Sequence, residues 1–471
     1  MDADTLKKKL QNQNPLMMSP MAFALAACGG GGSGEEELTP ALSGVRTLSP
    51  TGDELIDMMT TGSYYRSSPT SPVFYGLADG HFGEQWENPD EVAEVLQEVM
   101  QGYNTYADVN LVYAGHFDSP NAATEAGVGV IMSFDKFVFD SEGSDQVWYV
   151  FSPSATDDQG AGIDQIAGDL YINYNASVLN STNQSVFESR LTDTGFGYAT
   201  IMHGMLGTLG VKSTYWDWGE ERPPIDNTRF SEYSEDITFS ASNVSYDSLS
   251  GDFGADLGIA DILALMYLYG PNQSTNTLDD LYAITNIDEH TVIYDAGGED
   301  TVSFEAIPNG MLVVLPNDLL AADGFTSSVD IPVGAFDHNL DTEAVTGYLL
   351  GDIENLICGS GDDNIVGNQL DNVIKAGGGD DQIVLSQGDD VIYGGTGADT
   401  FYAQAAMGNT YYIGSNTLIK DFEIGIDTLS VLEGSEALSY SRNDEGYATY
   451  TNDAGVYVVL EGIEANVLLI A

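Results

Sequence analysis

Apolar residues recur at helical spacing over residues 89–106, where Val92, Val95, Leu96, Val99 and Met100 share a face and acidic residues hold the other. That stretch predicts an amphipathic helix. Residues 109–113, 127–134, 147–151 and 169–174 are short apolar runs bounded by turn formers and predict strands. Residues 197–211 and 257–269 read as helices, the first with glycines inside it. Residues 45–75 follow neither period and read as irregular. After Leu281 the helical period vanishes, and short apolar runs separated by Gly, Asp and Asn continue to the C-terminus. Mixed helices and strands followed by strands alone predict an α+β domain and then an all-β one.

The all-β part carries a strict period of nine. Residues 358–402 read CGSGDDNIV, GNQLDNVIK, AGGGDDQIV, LSQGDDVIY and GGTGADTFY. Position eight is Ile365, Ile374, Ile383, Ile392 and Phe401; position six is Asp363, Asn372, Asp381, Asp390 and Asp399. G-G-x-G-x-D-x-U-x, with U a large apolar residue, is the pattern of a calcium-binding parallel β-roll, the RTX repeat. Glycines at positions two and four permit a tight turn whose carbonyls offer oxygen to a hard cation, and the position-six carboxylate adds charge. Two nonads complete a coil, so Asp363, Asp381 and Asp399 are expected to line one edge, and Asn372 and Asp390 the other. The calcium ligands expected from the repeats are Gly359, Gly361, Asp363, Asn372, Gly377, Gly379, Asp381, Gly388, Asp390, Gly395, Gly397 and Asp399. The second nonad departs most, with Leu370 and Asn372 in place of Gly and Asp.

Charge narrows the partners. Acidic residues number 73 against 13 basic, a formal charge of −60 over 471 residues. Phosphate binding needs clustered Lys and Arg, so nucleic acid is excluded and anionic membranes are disfavoured. Cations are needed to offset the self-repulsion. Cys28 and Cys358 cannot form a disulfide framework, and no run of eighteen apolar residues predicts a transmembrane helix. Residues 1–44 read as a leader and a Gly-rich linker. Three lysines, an apolar stretch and Leu25-Ala26-Ala27-Cys28 are similar to a lipoprotein signal, which would make Cys28 a lipid anchor; an uncleaved leader is the alternative.

The order of segments resembles the serralysin family, secreted bacterial zinc metalloproteases with an N-terminal catalytic domain and a C-terminal β-roll. The resemblance covers roughly residues 75–435. It rests on Asp261–Asn272, similar to the helix closing the family's catalytic domain, and on Tyr294–Thr301, similar to its first calcium turn, which implies Asp295, Gly297 and Asp300 as ligands. Glu354–Asp363 and Lys420–Asp427 resemble the segments leading into and out of its repeats. The implied fold is an α+β metzincin-like domain over 45–272, followed by an all-β parallel β-roll over 273–471 that ends in a secretion region.

The family's zinc motif is H-E-x-x-H-x-x-G-x-x-H, with two histidines on one helix face and a general-base Glu between them. The matching stretch here is His203 to Ser213. His203 fits the first ligand, but Gly204 replaces the base, Gly207 the second ligand and Ser213 the third. Residues 238–246, where the family's Met-turn falls, hold no Met. Catalytic zinc takes three protein ligands, so no zinc is expected. Each interior glycine costs a helix about 1 kcal/mol against alanine, so Gly204 and Gly207 read as weakening the element without supplying chemistry. His81 and His116 lie far upstream, and His290 and His338 fall in the β-rich part. A rebuilt site using His203 with Asp217, Glu220 or Glu221 is the remaining route to a metal.

The resulting expectation is a secreted, calcium-binding RTX protein with several bound Ca²⁺ ions, no catalytic residue, and a binding or scaffold role toward an extracellular protein or peptide. The resemblance implies export by a type I secretion machinery. The alternatives are an active zinc metalloendopeptidase with a divergent site, and a cell-surface adhesin or lipoprotein anchored through Cys28.

Overall fold

The computed structural model describes residues 45–47, 60, 63–65, 72–135, 148–150, 168–173, 191, 196–211, 257–287, 291–316, 334–337, 347–407, 410–414, 416–431 and 437–469. They form two compact units, one ending at Asn272 and the other beginning at Gln273.

The first unit is an α+β layer. Strands β1 (Val45–Thr47) and β2 (Ser63–Tyr65) pair antiparallel. The main sheet is built from β3 (Val73–Ala78), β4 (Leu111–Phe117), β5 (Val130–Asp135), β6 (Trp148–Val150) and β7 (Leu170–Asn173), in the order β4-β3-β5-β7-β6. All neighbours are parallel except β6 and β7. Helix α1 (Pro89–Tyr106) follows β3, opens with proline and carries Asp90 and Glu91 in its first turn, where the helix dipole favours them. Its apolar face is buried at Val92, Leu96 and Met100. It packs against α3 (Phe196–Thr208) and α4 (Ile259–Tyr269). A short helix, α2 (Pro120–Glu125), has no apolar period to announce it and is fixed by Ser119, whose hydroxyl accepts from the N–H of Ala122 at 3.2 Å.

Residues 45–75 are not simply irregular, because β1, β2 and the start of β3 lie there. β3 is inner in the sheet and buried at five of its six residues, so it has no polar face to alternate with and its sequence VFYGLA gives no period-two signal.

The second unit winds as a β-roll. One sheet stacks Leu281–Ala283, Thr301–Ser303, Asn355–Ile357, Val373–Lys375, Val391–Tyr393, Thr417–Ile419 and Tyr457–Leu460 in parallel, and ends in the antiparallel strands Ala448–Thr451 and Ser439–Arg442. The other holds Leu312–Val314, Asn364–Val366, Gln382–Val384, Thr400–Met407 and Thr428–Val431 in parallel. Its flank is Gly334–Asp337, Gly347–Gly351 and Thr291–Asp295. Within the repeats the register advances by eighteen: Leu356 opposes Ile374, which opposes Ile392, and Ile365 opposes Ile383, which opposes Phe401. All five position-eight residues join one core and are at most 1% exposed. The chain is therefore an α+β domain followed by a parallel β-roll.

Candidate metal centres

Each coil of the roll leans on the next through position six. On one edge the backbone N–H of Met311 donates to Oδ1 of Asp363 at 2.6 Å, that of Asp363 to Asp381 at 2.8 Å, that of Asp381 to Asp399 at 3.0 Å, and that of Asp399 to Asp427 at 3.0 Å. On the other edge the N–H of Asp280 reaches Asp300 at 2.7 Å, that of Asp300 reaches Glu354 at 2.7 Å, and that of Asn372 reaches Asp390 at 3.0 Å. Each carboxylate so placed spends one oxygen on the preceding coil. The other oxygen is buried without a hydrogen-bond partner at Asp300, Asp363, Asp381 and Asp390. Buried polar atoms are normally paired, and orphans repeated along a turn edge call for an ion. Oxygen donors with negative charge, spaced for a hard cation, fit calcium.

Burial raises these carboxyls. Asp363 is pushed up to about 8, Asp300, Asp381 and Asp390 to about 7, and Asp399 to about 6, in each case chiefly by desolvation, with neighbouring carboxylates adding to it. A divalent cation would restore the charged form.

Glycine is required where coils touch. A Cβ on Gly397, at φ +137°, would lie 1.8 Å from the carbonyl oxygen of Gly379, and one on Gly379, at φ +123°, 2.4 Å from that of Gly361. Gly297, Gly377, Gly388 and Gly395 also sit at positive φ. Gly359 and Gly361 are fixed by space, with hypothetical Cβ atoms 2.1 Å from the Ile307 oxygen and 2.2 Å from the Gly310 nitrogen. The carbonyls of Gly359 and Gly377 accept N–H groups from Gly378 and Thr396, which leaves each a second lone pair.

Carboxylate oxygens of Asp280, Asp295 and Asp300 lie within 4.8 Å of one another, a group that could hold a metal ion. Asp295 and Asp300 are the sequence-expected pair; Asp280 is not. Tyr282 donates to Asp295 Oδ2 at 2.6 Å, and the Gly297 N–H to its Oδ1 at 2.9 Å. Sequence reasoning also leaves out Glu354 and Asp427 as ligand-edge residues. All three precede an apolar residue by two (Tyr282, Leu356, Leu429), the phase of the repeat without its pair of glycines, of which only Asp427 keeps one, Gly425 at position four. A second row, at position five, is likewise missed: Asp362, Asp371 and Asp380 accept from the N–H of Asp380, Asp389 and Ala398.

Asp381 is the central rung of its edge. Asp381→Ala is expected to raise the calcium midpoint of folding about tenfold, the equivalent of one charge-assisted contact of ~1.4 kcal/mol. A circular-dichroism titration in calcium with an unmoved midpoint would remove Asp381 from the ligand set.

The first unit carries the degenerate zinc motif on α3. The helix stops as the motif requires: Gly210 sits at φ +98°, its N–H donates to the Gly207 carbonyl, and that of Val211 to Leu206. His203 is buried, and burial pushes its imidazole down to about 4, so it is neutral at neutral pH. Gly204 and Gly207 do more than weaken the helix. A Cβ on Gly204 would lie 2.5 Å from Leu170 Cδ1, and one on Gly207 2.9 Å from Val150 Cγ2. The two glycines let α3 settle directly onto β7 and β6, so the space a base and a second ligand would need is filled by buried Leu170 and Val150. His81 is held by Asp135 and His116 Nε2 by Asp79 at 3.0 Å, at the ends of β3, β4 and β5. Ser213, Asp217, Glu220, Glu221, residues 238–246, His290, His338, Cys28 and the leader lie outside the described residues. Among the described residues no helix is long and apolar enough to cross a membrane.

Residues 264–451 match the family described as peptidase M10 serralysin C terminal. Over this region the chain is similar to the C-terminal part of serralysin-type proteins. It is 31% identical to serralysin of Proteus mirabilis over 197 residues, covering 38% of this chain and 37% of that one. It is 30% identical to serralysin G of Dickeya chrysanthemi over 226 residues, 44% and 42% of the two chains. With metallopeptidase AprA of Pseudomonas marginalis it shares 28% over 218 residues, 41% and 42%. The matched stretch spans about two fifths of the length of each of these relatives. The serralysin-type roll thus accounts for the nonads, the Asp295 turn and the strands that follow the repeats.

Proposed function

We infer that the chain is a secreted, calcium-organised serralysin-type protein whose first unit binds or scaffolds an extracellular protein or peptide and does not hydrolyse it. The observation that carries the loss of hydrolysis is the close approach of Gly204 and Gly207 to Leu170 and Val150. A zinc protease needs ligand and base side chains at those two positions. The calcium part is supported by the orphaned inner oxygens of Asp300, Asp363, Asp381 and Asp390. When bound, calcium would neutralise the turn carboxylates and contribute its binding energy to folding. Extracellular modules work with dissociation constants of about 10⁻⁴–10⁻³ M, which keeps such a roll open where calcium is scarce and closes it outside the cell. Release through a type I secretion machinery follows from this reading.

The test is metal analysis with a cleavage assay. The purified chain should hold calcium, lack stoichiometric zinc and leave casein intact; a stoichiometric zinc with turnover would establish the metalloendopeptidase instead. Restoring Glu, His and His at positions 204, 207 and 213 should not create activity. Each large side chain on α3 must displace a buried one, at a cost of about 1–3 kcal/mol, so the triple variant should also melt earlier. Robust cleavage by it would show that Leu170 and Val150 do not block those positions.

A further inference from the structure

The second nonad closes its turn differently from its neighbours. At Asp300, Asp363, Asp381 and Asp390 one carboxylate oxygen caps a backbone N–H while the other is buried and unpartnered. Asn372 occupies the equivalent rung and is equally buried. Its Oδ1 accepts from the N–H of Asn368 at 3.2 Å and from Ser386 Oγ at 3.4 Å. Its Nδ2 donates to the Glu354 carbonyl at 2.9 Å and to Asn368 Oδ1 at 2.7 Å. Asn368 is as fully engaged: its Nδ2 donates to the carbonyls of Pro316 at 2.7 Å and Ile353 at 2.9 Å, and its Oδ1 also accepts from the N–H of Leu370 at 3.0 Å. Two buried amides therefore use every donor and acceptor they possess, as a low-dielectric site demands.

The nitrogen of Asn372 stands between two oxygens at 2.7 and 2.9 Å. A hard cation gathers oxygens in this way. Here the positive end of an amide dipole does so instead, and no net charge is buried. Asn368 and Asn372 stand where the repeat consensus has Gly and Asp, and their amides make this possible: Asn368 brings a side chain that a glycine lacks, and Asn372 brings the donor that a carboxylate lacks.

We propose that Asn368 and Asn372 form an ion-free latch, one turn of the roll that closes without calcium. The inference rests on the calcium reading of the other turns. Along the edge Asp280, Asp300, Glu354, Asn372, Asp390, ion loading is interrupted at this rung. The latch gives the roll a fixed turn between ion-dependent ones. Its charge state does not change with calcium, so it holds Glu354 and the strand Val373–Lys375 together at concentrations where flanking turns have opened.

Asn372→Asp is the sharpest substitution. It keeps the shape, exchanges the donor for an oxygen, and sets that oxygen against the Glu354 carbonyl and Asn368 Oδ1. The turn should then need a cation. In native mass spectrometry the variant is expected to carry an additional calcium ion relative to the wild type, and at limiting calcium its roll should melt at a lower temperature. An unchanged calcium count overturns the proposal. The wild-type chain supplies an arm that requires no substitution. In hydrogen exchange at falling calcium, the amides of Asn368 and Leu370 should stay protected at concentrations that have already released those of Asp363 and Asp381. Simultaneous release overturns the latch. A wild-type chain that takes up no calcium would instead overturn the calcium reading, and the latch would still stand or fall on whether Asn368 and Leu370 outlast Asp363 and Asp381 during exchange in denaturant.

Discussion

Stripping calcium with EGTA at pH 8 should abolish the β-sheet circular dichroism of the second unit, and lowering the pH to 5, still in EGTA, should restore part of it. The reason lies in the inner carboxyls. Asp363 at about 8, Asp300, Asp381 and Asp390 at about 7 and Asp399 at about 6 all lie above the ~3.9 of an unfolded aspartate. The ion-free fold therefore holds more protons than the unfolded chain between about pH 4 and pH 8. Stability falls as pH rises through that window and levels off below it, where both states are protonated. Calcium binds the deprotonated form, so protons and calcium compete, and the midpoint of calcium binding should move to higher concentration on acidification. A calcium-free spectrum identical at pH 5 and pH 8, together with a pH-independent calcium midpoint, would mean that these carboxyls neither hold the ion nor limit the fold.

Gly397→Ala should be among the most damaging single changes in the roll, at about 3 kcal/mol or more in saturating calcium. Alanine there combines an unfavourable φ of +137° with a Cβ 1.8 Å from the Gly379 oxygen. Coils eighteen residues apart would have to separate at the turns that carry the candidate calcium ligands. Gly446→Ala is the control. Gly446 also has positive φ, at +89°, but open space around it, so the cost should be the backbone strain alone, about 1–2 kcal/mol. Equal melting temperatures for the two variants would show that the coils do not approach as closely as described.

The roll is legible in the sequence because its two signals, apolar at position eight and acidic at position six, recur at fixed phase and have local meanings. Ile365, Ile383 and Phe401 stack as their spacing requires, as do Ile374 and Ile392. The ends of the edges are harder to read. Asp280 meets Asp300 across 20 residues, Asp300 meets Glu354 across 54, and Asp399 meets Asp427 across 28. Inserted segments break the count while the acid-x-apolar phase survives, so a search for phase without period finds them. Asn372 shows the opposite difficulty: it falls on a ligand position by count, and only its hydrogen bonds reveal that its amide is committed elsewhere. In the first unit α1 and β5 follow from periodicity and apolar runs, whereas β3 is buried on both faces and has no contrast to display. The glycines of α3 look like damage in one dimension, since a linear reading cannot see that Leu170 and Val150 press against them.

Neighbouring coils of the roll exchange hydrogen bonds in both senses: at position six the upstream N–H reaches the downstream carboxylate, and at position five the downstream N–H reaches the upstream one. Each winding is thus clasped from both sides, and a winding at the end of the stack keeps only one clasp. Trimming the roll as far as Asp427 would therefore loosen the winding before the cut as well, since the Asp399 N–H would lose its acceptor.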